Sequence, residues 1–329
     1  MKGDNDRMNT ILWALNSKCS FHCKYCYLDF SEDNNPINNK NTSNSTDISD
    51  KYIFDFIRKL EKYQITRIFI AGAEPLSNPK KTFEIIKRIK DFNIQVVLCT
   101  NGYLIDKYYQ EIIESKVDAL SISLDSYKKE YNDKYRQYPA DDGFDKVVKG
   151  IKILKEISNV KVGIYTVLTK LNIEDLEQTY KFVTDLKGDY YIFQPIFLNK
   201  GTELFEKLTL DKDDAIELEN IILRMYKNVS TTKLPNKEYV KNILESIKHY
   251  NKCINNCFAG NNLFFITPDG SIHACPSSKM IPRETTSIKI SDPNLEDVFL
   301  DKKLKIKECY NFSEDCVNMW QLMAFDEIF

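Results

Sequence analysis

The chain has 329 residues, 43% hydrophobic and 29% charged, a globular composition that excludes a wholly disordered or fibrous protein. Lys plus Arg number 46 and Asp plus Glu 48, so a formal charge of −2 offers no electrostatic case for nucleic acid or an anionic membrane. No apolar run approaches the roughly 20 residues of a membrane span, and Met1-Lys2-Gly3-Asp4-Asn5-Asp6-Arg7 does not read as a signal peptide, so a cytoplasmic location is expected.

Strand-like and helix-like patterns alternate over the first two thirds. Asn9 to Leu15 reads as a strand. Lys51 to Tyr63 is helical, with Ile53, Phe56, Ile57 and Leu60 on one face. Arg67 to Ala71 is a short buried strand ending at Gly72. Helices over Lys80–Phe92 and Leu104–Ser115 precede strands over Ile94–Cys99 and Asp118–Leu124. The helix Gly143–Ile157, the β-branched strand Val160–Leu168, the helix Ile173–Leu186 and the strand Tyr190–Ile196 complete six β/α units. Six repeats with right-handed crossovers predict an α/β fold, a partial (β/α)6 parallel barrel with fewer units than a closed eight-fold one. In such sheets chemistry gathers at the carboxyl ends of the strands.

Beyond Asn199 the alternation stops. Helices are expected over Lys212–Asn228 and Asn236–Tyr250, then a hairpin of Leu263–Thr267 and Ser271–Ala274 about Pro268-Asp269-Gly270. This divides the chain into a core over 1–200, a helical connection over 201–250 and a small α+β extension over 251–329. The Asn- and Ser-rich stretch Ser31–Ser49 reads as a loop.

Nine cysteines and only three histidines (His22, His249, His273) turn attention to thiolate chemistry and away from a Ser-His-Asp triad. Cys19-Ser20-Phe21-His22-Cys23-Lys24-Tyr25-Cys26 spells C-x3-C-x2-C just after the first strand. Three thiolates on one tight loop can hold three corners of a cubane iron–sulfur cluster, leaving one iron open. The alternatives are a zinc site built from Cys23, Cys26 and two further ligands, or plain buried thiols.

The motif resembles that of the radical S-adenosylmethionine (radical SAM) enzymes. Tyr25 matches the aromatic position that in this family lies near the adenine of SAM. Gly72-Ala73-Glu74-Pro75 is similar to the family's G-G-E-P segment, where backbone and carboxylate receive the methionine amino group; Ala73 replaces a glycine. Thr100-Asn101-Gly102 follows the third strand. Ser121-Ile122-Ser123-Leu124-Asp125 resembles the family's S-L-D segment, which implies ribose contacts by Ser123 and Asp125. Arg136 matches the basic residue that holds the SAM carboxylate, and Gln194 ends the sixth strand. Taken one at a time, Ser123, Asp125 and Arg136 would be ordinary turn or surface residues; what unites them is their place at successive strand ends.

Five cysteines follow the core. Cys257-x12-Gly270-x4-Cys275 resembles the opening of the SPASM and twitch extensions of these enzymes. The resemblance implies one auxiliary [4Fe–4S] cluster on Cys257, Cys275, Cys309 and Cys316, with Cys253 able to replace Cys309. Four thiolates also suit a structural zinc. Cys99 and Cys253 remain, as buried thiols or as hydrogen-atom donors to a substrate radical. Besides that auxiliary cluster, the resemblance implies a SAM-binding [4Fe–4S] cluster and SAM itself as cofactors, and an electron donor such as flavodoxin or ferredoxin. The first expectation for the reaction is hydrogen abstraction from a ribosomally made peptide, leading to a crosslink, thioether or epimerisation. No separate peptide-recognition domain is expected before Cys19, which favours either a peptide docked by a separate partner or dehydrogenation or epimerisation of a small molecule such as an aminosugar. A zinc-binding, non-catalytic interaction protein is the alternative of a different class.

Overall fold

A computed structural model describes residues 9–26, 47–198, 200–228, 230–249, 259–276 and 288–304. Six strands run parallel: β1 (Thr10–Ala14), β2 (Arg67–Ala71), β3 (Gln95–Thr100), β4 (Ala119–Ser123), β5 (Lys161–Leu168) and β6 (Tyr190–Pro195). Between them lie α1 (Asp50–Ile57), α2 (Pro79–Lys90), α3 (Ile105–Glu114), α4 (Lys129–Arg136), α5 (Gly143–Ile157) and α6 (Leu176–Asp185). The sheet order is β6-β5-β4-β3-β2-β1, open at the β6 end, so the barrel is partial as its six repeats predict.

Local chemistry sets these elements. In α2, Pro79 opens the helix without losing a needed donor, and the Asn78 side chain accepts from Lys81 N–H. Its Phe83, Ile85, Ile86 and Ile89 are buried, and Lys87, Arg88 and Lys90 sit in the last turn, where cations suit the helix dipole. The outer face of β1 buries Trp13, which meets Phe56 of α1 edge-on at 5.4 Å. On one row across the sheet, Cys99, Ser121 and Gly163 are followed by Tyr190. Gly163 leaves space that the Tyr190 ring fills, and the Tyr190 hydroxyl donates to Leu120 O at 2.7 Å.

Four features go beyond the expected elements. Helix α4 has the sequence KEYNDKYR, too charged to show an apolar stripe, and it delivers Arg136 to the site. A short α7 (Glu203–Leu208) precedes α8 (Lys212–Lys227) and α9 (Lys237–Lys248). The hairpin is present as β7 (Leu263–Ile266) and β8 (Ile272–His273), paired antiparallel. Strand β7 also pairs parallel with β1, Thr10 opposite Leu263, and so extends the main sheet to eight strands. The following α10 (Glu296–Phe299) sets Phe299 against Phe264 of β7 and Tyr63, at 4.8 and 5.1 Å.

The hairpin turn is held by Asp269, whose carboxylate accepts from Thr267 Oγ1 (2.6 Å), Ser271 Oγ (2.8 Å) and Lys289 Nζ (2.9 Å). Burial alone would raise its pKa, but these donors hold it well below the usual carboxylate range. A carboxylate depressed in the folded state contributes stability above its unfolded value of about 4, lost as pH falls through the lower folded value. Asp269→Asn is therefore expected to destabilise the protein at pH 7, with the difference from wild type shrinking below pH 4. Denaturant melts at both pH values check this; a gap that widens in acid would contradict it.

Candidate functional site

The loop leaving β1 carries Cys19, Cys23 and Cys26 to the carboxyl ends of the strands. Cys26 N–H donates to Cys23 O (3.1 Å) in a tight turn, and Lys24 N–H donates to Tyr135 O (2.9 Å). The Cys23 thiol donates to Arg136 O at 3.3 Å, so the end of α4 fastens the loop twice. Phe21 is wedged edge-on between Tyr103 and Tyr138, with centroids at 5.8 and 4.9 Å. Cys19 is exposed, and Cys23 and Cys26 are half-buried.

The three thiols share one cavity of about 240 Å³ with Tyr25, Gly72, Ala73, Glu74, Thr100, Asn101, Ser123, Arg136 and Gln194. Nine residues singled out in sequence as cofactor contacts thus meet at one place. Pro75 and Asp125 do not line it. Among the described residues, no three His, Cys, Asp or Glu side chains converge on a point sized for one ion. The three thiols instead share a cavity wall, which suits a cubane whose irons occupy separate corners.

The loop after β2 forms the second wall. Gly72 has φ +141°, and a Cβ there would lie 3.0 Å from Asn16 O and 3.1 Å from Leu15 N. Only glycine allows that approach to the backbone leading into the cysteine loop. Ala73 has no such requirement: it lies outside the positive-φ residues, and its N–H donates to Asn16 O at 3.1 Å. The methyl group in place of the usual second glycine is therefore accommodated.

Glu74 is buried and organises two loops. It accepts from Leu76 N–H (2.9 Å), Thr100 Oγ1 (2.8 Å) and Asn101 N–H (2.8 Å). Burial pushes its carboxyl above the ordinary value, against the pull of these donors. Asn101 Nδ2 in turn reaches Cys19 Sγ at 3.8 Å, linking the end of β3 to the cysteine loop. Tyr25 packs with Tyr135, Ile196, Leu198 and Leu208 in a small apolar cluster apart from the main core. Its hydroxyl donates to Asp125 Oδ2 at 2.6 Å, and Asp125 is ion-paired with Arg136.

Sequence reasoning passed over Tyr165 and Val167, which line the cavity from β5. Alternation along that strand, extended to its carboxyl end, would have found them. Cys99 also faces the cavity, its thiol pushed up to about 12 by burial. Of the later cysteines, Cys275 is buried just after β8; Cys253, Cys257, Cys309 and Cys316 lie outside the described residues.

A parallel β/α partial barrel with a three-cysteine loop facing a polar cavity at its strand ends defines the class. The family model described as "Radical SAM superfamily" matches residues 14–183, a little over half of the chain. The chain belongs to that superfamily, whose members use a [4Fe–4S] cluster and SAM. It is 26% identical to a probable GTP 3′,8-cyclase of Sulfurisphaera tokodaii, over 91% of this chain and 90% of that one. An AdoMet-dependent heme synthase of Methanosarcina barkeri is 24% identical, over 80% and 76% of the two chains. The fold is shared with Streptococcus suis SuiB (TM-score 0.68, 18% identity, 92% of this chain, 68% of that one). It is also shared with anSMEcpe solved with bound AdoMet (TM-score 0.67, 20% identity, 94% and 88%). Among the described residues no helix is long and apolar enough to cross a membrane.

Proposed function

We propose that this enzyme cleaves SAM reductively in the cavity at the strand ends and uses the resulting radical on a ribosomally made peptide. The observation that carries the SAM site is the meeting of Cys19, Cys23 and Cys26 with Glu74, Arg136 and Gln194 around one cavity. The donor set fits: three thiols leave one corner of a cubane without a protein ligand. When bound, the cluster would pass one electron, received from a reductant, to SAM, which would thereby divide into methionine and a 5′-deoxyadenosyl radical able to remove a hydrogen atom. The chain's own residues bind and orient. Glu74 presents a carboxylate to the methionine ammonium, Arg136 a guanidinium to its carboxylate, and Tyr25 an aromatic wall to the adenine.

Peptide modification is supported by the fold shared with SuiB, a structure of which is described as bound to precursor peptide SuiA. The relatives described as GTP 3′,8-cyclase and heme synthase favour a second reading, in which the substrate is a small molecule. A second cluster on Cys257, Cys275, Cys309 and Cys316 belongs to the proposal, with residues 251–329 as its support and 201–250 as a helical connection. So does a reductant of the flavodoxin or ferredoxin kind, and a cytoplasmic setting.

The test is anaerobic reconstitution with iron and sulfide, then incubation with SAM and dithionite. Formation of 5′-deoxyadenosine and methionine is expected. Glu74→Ala and Arg136→Ala each remove a charge-assisted contact, so SAM binding should weaken about ten- to hundredfold at unchanged iron content. Unaltered SAM affinity in both variants would put the pocket elsewhere, and zinc in place of iron would favour the non-catalytic alternative.

A further inference from the structure

The S-L-D segment implies that Asp125 touches the ribose. The geometry around Asp125 leaves no acceptor for it. Oδ1 accepts from Arg136 Nη2 (2.8 Å) and from Val167 N–H (2.8 Å). Oδ2 accepts from the Tyr25 hydroxyl (2.6 Å) and lies 2.7 Å from Arg136 Nε. An ionised carboxylate offers about four acceptor positions, and these four contacts use them. The side chain is 0% exposed. Its backbone is fixed as well: Asp125 N–H donates to Asn132 Oδ1 and its carbonyl accepts from Asn172 Nδ2, both at 2.9 Å. Turning the carboxylate toward the cavity would break a buried ion pair and leave the Arg136 charge uncompensated, which is strongly unfavourable.

The partners of Asp125 come from three places: Tyr25 from the cysteine loop, Arg136 from the end of α4 and Val167 from β5. Tyr25 and Arg136 both line the cavity, while Asp125 sits behind them. Gln194 is the reverse case. It lines the cavity from the end of β6, and its buried amide oxygen has no hydrogen-bond partner among the described residues. An unpaired buried acceptor is unfavourable until a ligand donor reaches it. Ser123 lines the same cavity, and a hydroxyl with an amide acceptor is apt for a cis-diol.

We propose that Asp125 is a positioning residue that holds Tyr25 and Arg136 as one unit without touching the nucleoside, and that Gln194 Oε1 accepts the ribose hydroxyl. This rests on the cavity being the SAM site. Arg136 is then presented at a fixed angle, and Tyr25 cannot swing without disturbing Cys26, the next residue.

Equilibrium binding of SAM and of its 2′-deoxy and 3′-deoxy analogues to the cluster-loaded protein tests this without turnover. Wild type should prefer SAM over at least one analogue by about tenfold, the worth of one good hydrogen bond. Gln194→Ala should bind SAM about tenfold more weakly and lose the preference. Asp125→Asn should weaken SAM and analogues by the same factor and keep the preference. Tyr25→Phe, which removes one of the four contacts, should shift affinity the same way and still decide if Asp125→Asn does not fold. Loss of the preference in Asp125→Asn or Tyr25→Phe, or its survival in Gln194→Ala, would overturn the assignment. Failure of the wild type to bind SAM would instead refute the site reading beneath it.

Discussion

Replacing Cys19, Cys23 and Cys26 together by alanine is expected to abolish 5′-deoxyadenosine formation and remove one cluster's worth of iron while the fold persists. The loop's fastening is mostly backbone: Lys24 N–H to Tyr135 O and Cys26 N–H to Cys23 O survive the change. The change removes the Cys23 thiol that donates to Arg136 O and the Cys19 sulfur that accepts from Phe21 N–H and Asn101 Nδ2, weak contacts worth about 1 kcal/mol each at most. With all three thiolates removed, Cys99 is the one cysteine left lining the cavity among the described residues, and a single thiol cannot hold a cubane, so no partial cluster should persist. On the proposal of a second cluster held by the later cysteines, that cluster's iron should remain. Iron analysis, circular dichroism and an anaerobic assay on one preparation separate these effects. A triple variant that still makes 5′-deoxyadenosine would refute the site.

The largest expected effect on stability lies deeper in the barrel. A Cβ at Gly163 would sit 1.9 Å from the Tyr190 ring, far inside contact distance. Tyr190 is 0% exposed and its hydroxyl bond to Leu120 O fixes the ring, so it has no free direction in which to give. Gly163→Ala should destabilise the protein by about 3 kcal/mol, from overpacking plus the weakened hydrogen bond. Gly163→Ala with Tyr190→Leu should recover part of that loss, since the two changes share one space. Denaturant melts of the single and double variants measure the coupling. Strict additivity would mean that the crowding lies somewhere other than this pair.

The strands from Arg67 to Pro195 were legible because each is a short, largely apolar run rich in β-branched or aromatic residues or flanked by turn residues. Their carboxyl ends then located most of the site, since strand-end positions face one cavity in any such sheet. Helix α4 was not legible: only Tyr131, Asn132 and Tyr135 interrupt its charges, and what holds it is tertiary, Tyr131 and Tyr135 packing with Tyr25 and the buried Asn132 amide donating to Ser126 O and Lys128 O. Asp125 shows a different limit. Its segment matches a ligand-binding pattern, yet which way its carboxylate points depends on Arg136 and Tyr25, eleven residues downstream and 100 residues upstream. The pairing of β7 was also hidden. Alternation around Pro268-Asp269-Gly270 announces a hairpin but carries nothing about the third strand it meets.

That pairing has a consequence for how the chain reaches its native state. β1 leaves the ribosome well before its partner on one side, β7, which lies roughly 250 residues later. Until that strand emerges, β1 has hydrogen-bonding groups on a bare edge, and bare edges invite wrong pairing. Closing so long a span is slow to be rewarded, because its entropy is lost before any contact forms. The cysteine loop leaves directly from β1, so the strand that anchors it is completed only when the last quarter of the sheet has been made. Capture of iron by an earlier intermediate would take place on a half-supported loop.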